Sequence, residues 1–253
     1  MQYNTALRFL DYFSDPSKIA TLKTSNRGNV LKALVSLSKF LGQYDSFTKS
    51  IKASGIHWAS RNGFDSFLKI INANSHTEVK EWYRKTQTVL PQNEKLFVKF
   101  TLLSGLRATE SRKAFNRIIE LAEEGRLTEY YDSKQQILKH YIFKDSFRHT
   151  KNNYISIISR GLINEIVNSK QISYYVIRKH LVKNKLNLEL KPLRSLYATF
   201  LRNKGIMAEW VDLIQGRIST NNVQLQNYLK LDLTNISEKI LPIVKALDLE
   251  TSN

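Results

Sequence analysis

The sequence predicts a mainly α fold with one small β-sheet or hairpin, arranged as two domains. Three observations carry this. Apolar residues recur at helical spacing along most of the 253 residues. A single window, 137–158, is instead rich in Ile, Tyr and Phe, in two runs around a polar turn. A polar stretch containing Pro91, residues 84–94, separates a helical N-terminal part from the remainder. The expected domains are therefore 1–88 and 89–253.

In the first part, residues 5–13 carry apolar side chains at helical spacing and stop at Ser14-Asp15-Pro16. Asn29 is placed to cap a helix over 30–41, whose face is Val30, Leu31, Leu34, Leu37, Phe40 and Leu41. Breaks at Ser54-Gly55 and Asn62-Gly63 bracket a short segment with Trp58, and residues 64–71 and 77–88 complete about five helices. Lys49, Lys52, Arg61, Lys69, Arg84 and Lys85 stud this region. They are either the solvated face of a small bundle or cations that sit on phosphates.

In the second part, residues 94–103 form a helix with a stripe of Leu96, Phe97, Phe100 and Leu103, and 109–122 a second one. Strands are expected over 137–147 and 154–158, with Lys151 near the tip of the turn and Lys144 a competing lysine on the first strand. Helices follow at 162–169, 173–185, 192–204, 207–215 and 222–229. The tail, about 234–250, spaces Ile236, Ile240, Ile243, Val244 and Leu247 as one apolar stripe that needs a hydrophobic seat, in its own domain or in a neighbouring subunit.

The charge is lopsided. Lys plus Arg number 39 against 22 Asp plus Glu, a net of +17, which favours a polyanionic partner. The excess is spread over both parts, as expected of a protein that wraps a duplex. Cysteine is absent, so disulfides and thiolate metal sites are excluded. The five histidines lack the spacing of a metal site, and no glycine-rich nucleotide motif occurs. No cofactor, metal or ATP is expected. No uncharged apolar run reaches the length of a membrane span and no signal-peptide core is present, so no membrane partner and a cytoplasmic location are expected.

The chemistry-bearing residues cluster late in the chain. Lys191-Pro-Leu-Arg194 is followed by Gln215-Gly216-Arg217 and then by Asn227-Tyr228-Leu229-Lys230, with Tyr228 the last tyrosine. Earlier, Gly105-Leu106-Arg107-Ala108-Thr109-Glu110 sets an arginine beside a glycine at a helix start, a good anion seat. Arginines, lysines and one phenol suit attack by a phenol oxygen on a phosphodiester held by cations. The window from Arg178 to Lys204 holds eight basic residues against one acid, Glu189, and makes 173–185 a candidate groove-facing helix through Arg178, Lys179, Lys183 and Lys185.

In this order the motifs resemble the catalytic domain of the tyrosine recombinases, the phage-type integrase family, and in particular its archaeal fusellovirus and plasmid branch. The resemblance covers about residues 90–230. It implies a helical, DNA-clamping core-binding domain followed by an integrase-like catalytic domain. It implies a site-specific DNA recombinase that cleaves and rejoins attachment sites through a 3′-phosphotyrosyl intermediate, without metal or ATP, as in integration of a viral genome or another mobile element. Tyr228 would be the nucleophile. Arg107, Arg194 and Arg217 would hold the phosphate, and Lys151 would be the general acid. Lys191 stands where the family has histidine, Arg217 where it has histidine or tryptophan, and Glu110 would brace a neighbouring arginine or helix. Neither 191 nor 217 supplies a neutral imidazole. Two alternatives stay open: a catalytically impaired DNA-binding protein on the same fold, and strand relaxation of the type IB topoisomerase kind. The implied assembly is a tetramer on double-stranded DNA and a monomer or dimer off it.

Overall fold

The computed structural model describes residues 2–56, 64, 68, 76–143, 152–217 and 232–252. The chain divides into two compact units, Met1–Ala73 and Asn74–Asn253. The division falls ahead of the expected boundary at 88/89, and the reason is hydrophobic. The helix His76–Val89 buries Val79 and Tyr83 in the core of the second unit, together with Leu90 just beyond it. This helix is expected at 77–88 as the last of the first domain, but its apolar face belongs to the second unit.

The first unit is a small helical bundle. Gln2–Arg8 (α1) and Asp11–Ser14 (α2) replace the single helix expected over 5–13. A 3-10 turn, Pro16–Thr21, opens with the Asp15 side chain accepting from the Ser17 N–H at 3.2 Å. Thr24–Phe40 (α3) begins six residues before the expected helix, so Asn29 lies inside it and caps nothing. Arg27 accounts for the extra turn: Nε donates to the Leu22 carbonyl at 2.9 Å and Nη2 to that of Ala20, docking the helix start on the preceding turn. Tyr44–Ala53 (α4), absent from the sequence reading, packs Phe47 against Phe13 with ring centroids 4.6 Å apart and closes a core of Ile19, Val30, Leu31, Leu34 and Ile51. Lys49 and Lys52 are exposed on it. Arg61, Lys69 and the segment around Trp58 lie outside the described residues, as does most of the helix expected at 64–71.

The second unit is built around Gln92–Ser104. With His76–Val89 as α5, this is α6. The expected stripe is buried, and so are Val98, Thr101 and Leu102, because α6 is packed on nearly every side. Ala108–Glu123 (α7), the one-turn Leu127–Tyr130 (α8), Arg160–Val167 (α9), Tyr174–Lys183 (α10), Leu190–Asn203 (α11) and Ala208–Ile214 (α12) follow. The last helix, Leu233–Ser252 (α13), lays Ile236, Ile240, Leu241, Val244 and Leu247 into the same core. The tail therefore has its hydrophobic seat on its own unit, against α5, α6 and α11. Lys99 Nζ meets Asp248 at 3.0 Å, and Lys80 pairs with Glu250.

The β element is a three-stranded antiparallel sheet, Tyr131–Asp132 (β1), Ile137–Lys139 (β2) and Ile155–Ile157 (β3), in the order β1-β2-β3. Ile137 pairs with Ile157, Leu138 with Ser156 and Lys139 with Ile155. β2 is much shorter than the expected 137–147. It ends because His140 turns inward and is bonded from both sides, which bends the chain into a 3-10 turn at His140–Ile142. Lys144, Lys151 and the rest of the expected turn lie outside the described residues, as do the helix expected at 222–229 and Tyr228.

Candidate functional site

Three turns of the second unit converge on one cleft, and two glycines make the convergence possible. Gly105 ends α6 in the left-handed region, φ +61°, and an added Cβ would stand 2.3 Å from the Tyr197 ring. Gly216 follows α12 at φ +59°, and there a Cβ would stand 2.2 Å from the Asn152 carbonyl oxygen. Both positions need the backbone freedom and the missing side chain at once.

Arg107 is the residue before α7, in extended conformation. Glu110, one turn in, accepts the Arg107 backbone N–H at 3.0 Å through Oε2 and Nη1 at 2.7 Å through Oε1. One carboxylate thus caps the helix start and aims the guanidinium. Asn153 Oδ1 receives Nη1 of the same arginine at 3.4 Å.

Lys191 and Arg194 lie one turn apart at the start of α11, hence on one face. Lys191 is exposed, whereas Arg194 is only 8% exposed. Arg194 Nη1 donates to the Gly105 carbonyl at 2.8 Å and Nη2 to that of Gln215, tying the two glycine turns together. Glu110 Oε2 stands 3.9 Å from Nη1 and balances the charge. Arg217 comes directly after Gly216, with its side chain 53% exposed and Nη1 3.8 Å from Asp212 Oδ1.

Arg107, Lys191, Arg194 and Arg217 all line this open cleft, about 420 Å³, together with Thr109 and Ser195. Glu110 sits behind it, lining a smaller pocket with His140 and Asn153. Arg178 lines an adjoining recess. Lys179 and Lys183 are exposed on α10, and Lys185 just beyond its end, none of them among the residues lining the cleft. Tyr197, the tyrosine preceding Tyr228, is fully buried beneath Gly105. Burial pushes its phenol well above the ordinary range, against the opposing pull of Arg194. Its hydroxyl finds no hydrogen-bond partner among the described residues, so it is a packing residue rather than a reactive one.

Two residues of the arrangement went unrecognised in the sequence. Asn153 is buried, and its Nδ2 donates to the Ile214 carbonyl at 2.6 Å, so it spans Arg107 and the end of α12. Gln215 Nε2 donates to the Arg194 carbonyl at 3.0 Å. The available signal was weak: an Asn-Asn doublet closing a polar turn, and a glutamine before a glycine-arginine pair. Below them His140 is held between Tyr130 Oη (2.6 Å, to Nδ1) and Ser156 Oγ (2.8 Å, to Nε2). Burial, helped by the Arg117 charge, pushes His140 down to about 3, so it is neutral at physiological pH.

Chemically, the cleft sets side-chain cations from three separate segments around one opening, with two carboxylates set back from it. Such an arrangement holds an oxyanion bearing more than one negatively charged oxygen. No family model, curated protein or solved structure matches this chain. Among the described residues no helix is long and apolar enough to cross a membrane.

Proposed function

We propose that this chain is a tyrosine recombinase that cuts and rejoins DNA at specific sites. The observation that carries the reading is the shared cleft: Arg107, Lys191, Arg194 and Arg217, drawn from three well-separated segments and singled out in that order, line one opening. Attack on a phosphodiester loads negative charge onto two non-bridging oxygens, and preorganised cations lower that barrier most in a partly dry site. Arg107 and Arg217 are the clamps, and Lys191 orients the phosphate beside them. Arg194, tied to two backbone carbonyls, holds the clamp in shape as much as it contributes charge.

Tyr228 supplies the nucleophile. Its oxygen gives up its proton to solvent and forms a bond to phosphorus as the bond from phosphorus to the 5′ oxygen breaks, and Lys151 gives that 5′ oxygen a proton. Religation reverses both steps, so no external energy source is needed. The +17 charge provides the sequence-independent hold on the duplex, and synapsis of two sites calls for several protomers.

The test is a nicked suicide substrate carrying a candidate attachment site. Wild-type protein is expected to form a covalent adduct that maps to Tyr228, while Tyr228→Phe binds the same DNA and forms none. An adduct that persists in Tyr228→Phe sinks the assignment. Absence of any adduct with wild type on the cognate site leaves a DNA-binding protein without strand transfer.

A further inference from the structure

The arginine cleft continues past Leu190 and Lys191 into a second recess, about 540 Å³, with which it shares Ala108 as well. The recess differs in chemistry. Leu190 is buried, Ala108, Tyr174 and Leu188 are half-buried, and Tyr175, Arg178 and Lys191 are exposed. Tyr175 is 77% exposed, a large aromatic left in solvent on the face of α10 that also presents Arg178, Lys179 and Val182. The half-buried Tyr174 is held by an edge contact to Phe97, with ring centroids 6.1 Å apart, and by the Arg112 guanidinium 5.7 Å from its ring. One tyrosine is fixed and the next is open.

We infer that this recess takes an unstacked nucleobase, the base of a nucleotide next to the phosphate held in the arginine cleft, with Tyr175 as its stacking platform and Arg178 on the following phosphate. The inference rests on the reading of the cleft as a phosphate seat. A nucleotide has a charged part and a planar apolar part a few ångströms apart. The cationic cleft and the aromatic recess are contiguous in the same way, sharing Leu190 and Lys191. Aromatic side chains interleaved with cations along a groove are how unpaired strands are bound, because every base has a π face whereas only the backbone has charge. A duplex opens locally when its strands are cut and exchanged, which supplies such an unpaired base beside the reacting phosphate.

The experiment separates base from charge. Full-length protein is titrated with oligothymidylate and with an abasic strand of the same length and phosphate count, at several salt concentrations. Wild type is expected to prefer oligothymidylate by roughly five- to 150-fold, the range of one base–aromatic stack. Tyr175→Ala is expected to lose that preference without changing the salt slope, and Tyr175→Phe to keep it. Arg178→Ala is expected to lower the slope by about 0.7, the share of one phosphate contact on a single strand, and leave the preference intact. Equal affinity of wild type for the two strands overturns the proposal, as does a preference that survives Tyr175→Ala. The outcome is independent of adduct formation at Tyr228, so base binding and strand transfer fail separately.

Discussion

Arg194 and Gln215 bond each other twice: the guanidinium of Arg194 donates to the Gln215 carbonyl, and the amide of Gln215 donates back to the Arg194 carbonyl at 3.0 Å. Both residues are buried. The reciprocal pair locks the end of α12 to the start of α11, and so fixes Arg217 relative to Lys191. Removing the amide withdraws a buried donor from the Arg194 carbonyl, at a cost of about 1–3 kcal/mol. Gln215→Ala is therefore expected to lower the urea midpoint and to depress strand cleavage further than the stability loss explains. A variant with a normal midpoint and full cleavage would show that the pair positions nothing.

Gly216 gives a sharper contrast. At φ +59° any other residue pays the left-handed cost, about 1–2 kcal/mol. Its Cβ would in addition collide with the backbone at Asn152, which cannot swing aside as a side chain would. Gly205 has φ +84° with nothing within 4 Å of an added Cβ, so it pays the conformational cost alone. Gly216→Ala is expected to destabilise clearly more than Gly205→Ala in denaturant unfolding. Equal losses would mean that the approach of Asn152 to Gly216 is not part of the native packing.

Much of this arrangement was legible in the sequence, and what was missed has a common cause. Long amphipathic helices such as 92–104 and 233–252 announce themselves through periodicity, and the charged motifs through residue type. Helix α5 was expected at 77–88 but placed in the first domain, because Val79 and Tyr83 are spread thinly among polar residues and nothing local says which core they enter. Tyr44–Ala53 was missed because its buried anchors are only Phe47 and Ile51. β1 is two residues long and carries no alternation to read. Asn153 and Gln215 act through hydrogen bonds to backbone carbonyls of distant segments, which leave no local pattern at all. The positive charges of the cleft are written in the sequence, and the groups that aim them are not.

His140 makes stability depend on pH in a direction that follows from its shift. Its folded value, about 3, lies below the ordinary histidine value near 6.5. Above about pH 6.5 neither folded nor unfolded chain holds this proton, and the group contributes no slope. Between about pH 6.5 and 3 the unfolded chain binds it and the folded chain does not. Stability is therefore lost as pH falls through that window, by about 1.4 kcal/mol per unit at its steepest. His140→Gln, which can still bond Tyr130 and Ser156, is expected to be less stable than wild type at pH 7 yet to lose less between pH 6.5 and 4.5. Parallel curves for the two proteins in urea titrations over that range would remove His140 as the cause.

Asn153 joins the sheet to the cleft. It stands two residues before β3, receives the Arg107 guanidinium at 3.4 Å and holds the Ile214 carbonyl at 2.6 Å. Its side chain is thus shared by the segment that carries the first arginine and the helix that leads to the last. Asn153→Ala withdraws both bonds and is expected to slow strand cleavage roughly tenfold or more, with a stability loss of about 1–3 kcal/mol. Asn153→Asp keeps the acceptor for Arg107 but loses the donor to Ile214 and sets a carboxylate near the proposed phosphate seat. It is expected to weaken DNA binding most at low salt, where repulsion is least screened. A double-mutant cycle with Arg107→Ala measures the connection directly, since residues in contact typically couple by 0.5–3 kcal/mol. If the Asn153→Ala and Arg107→Ala losses simply add, the amide does not position that guanidinium and its role is confined to the end of α12.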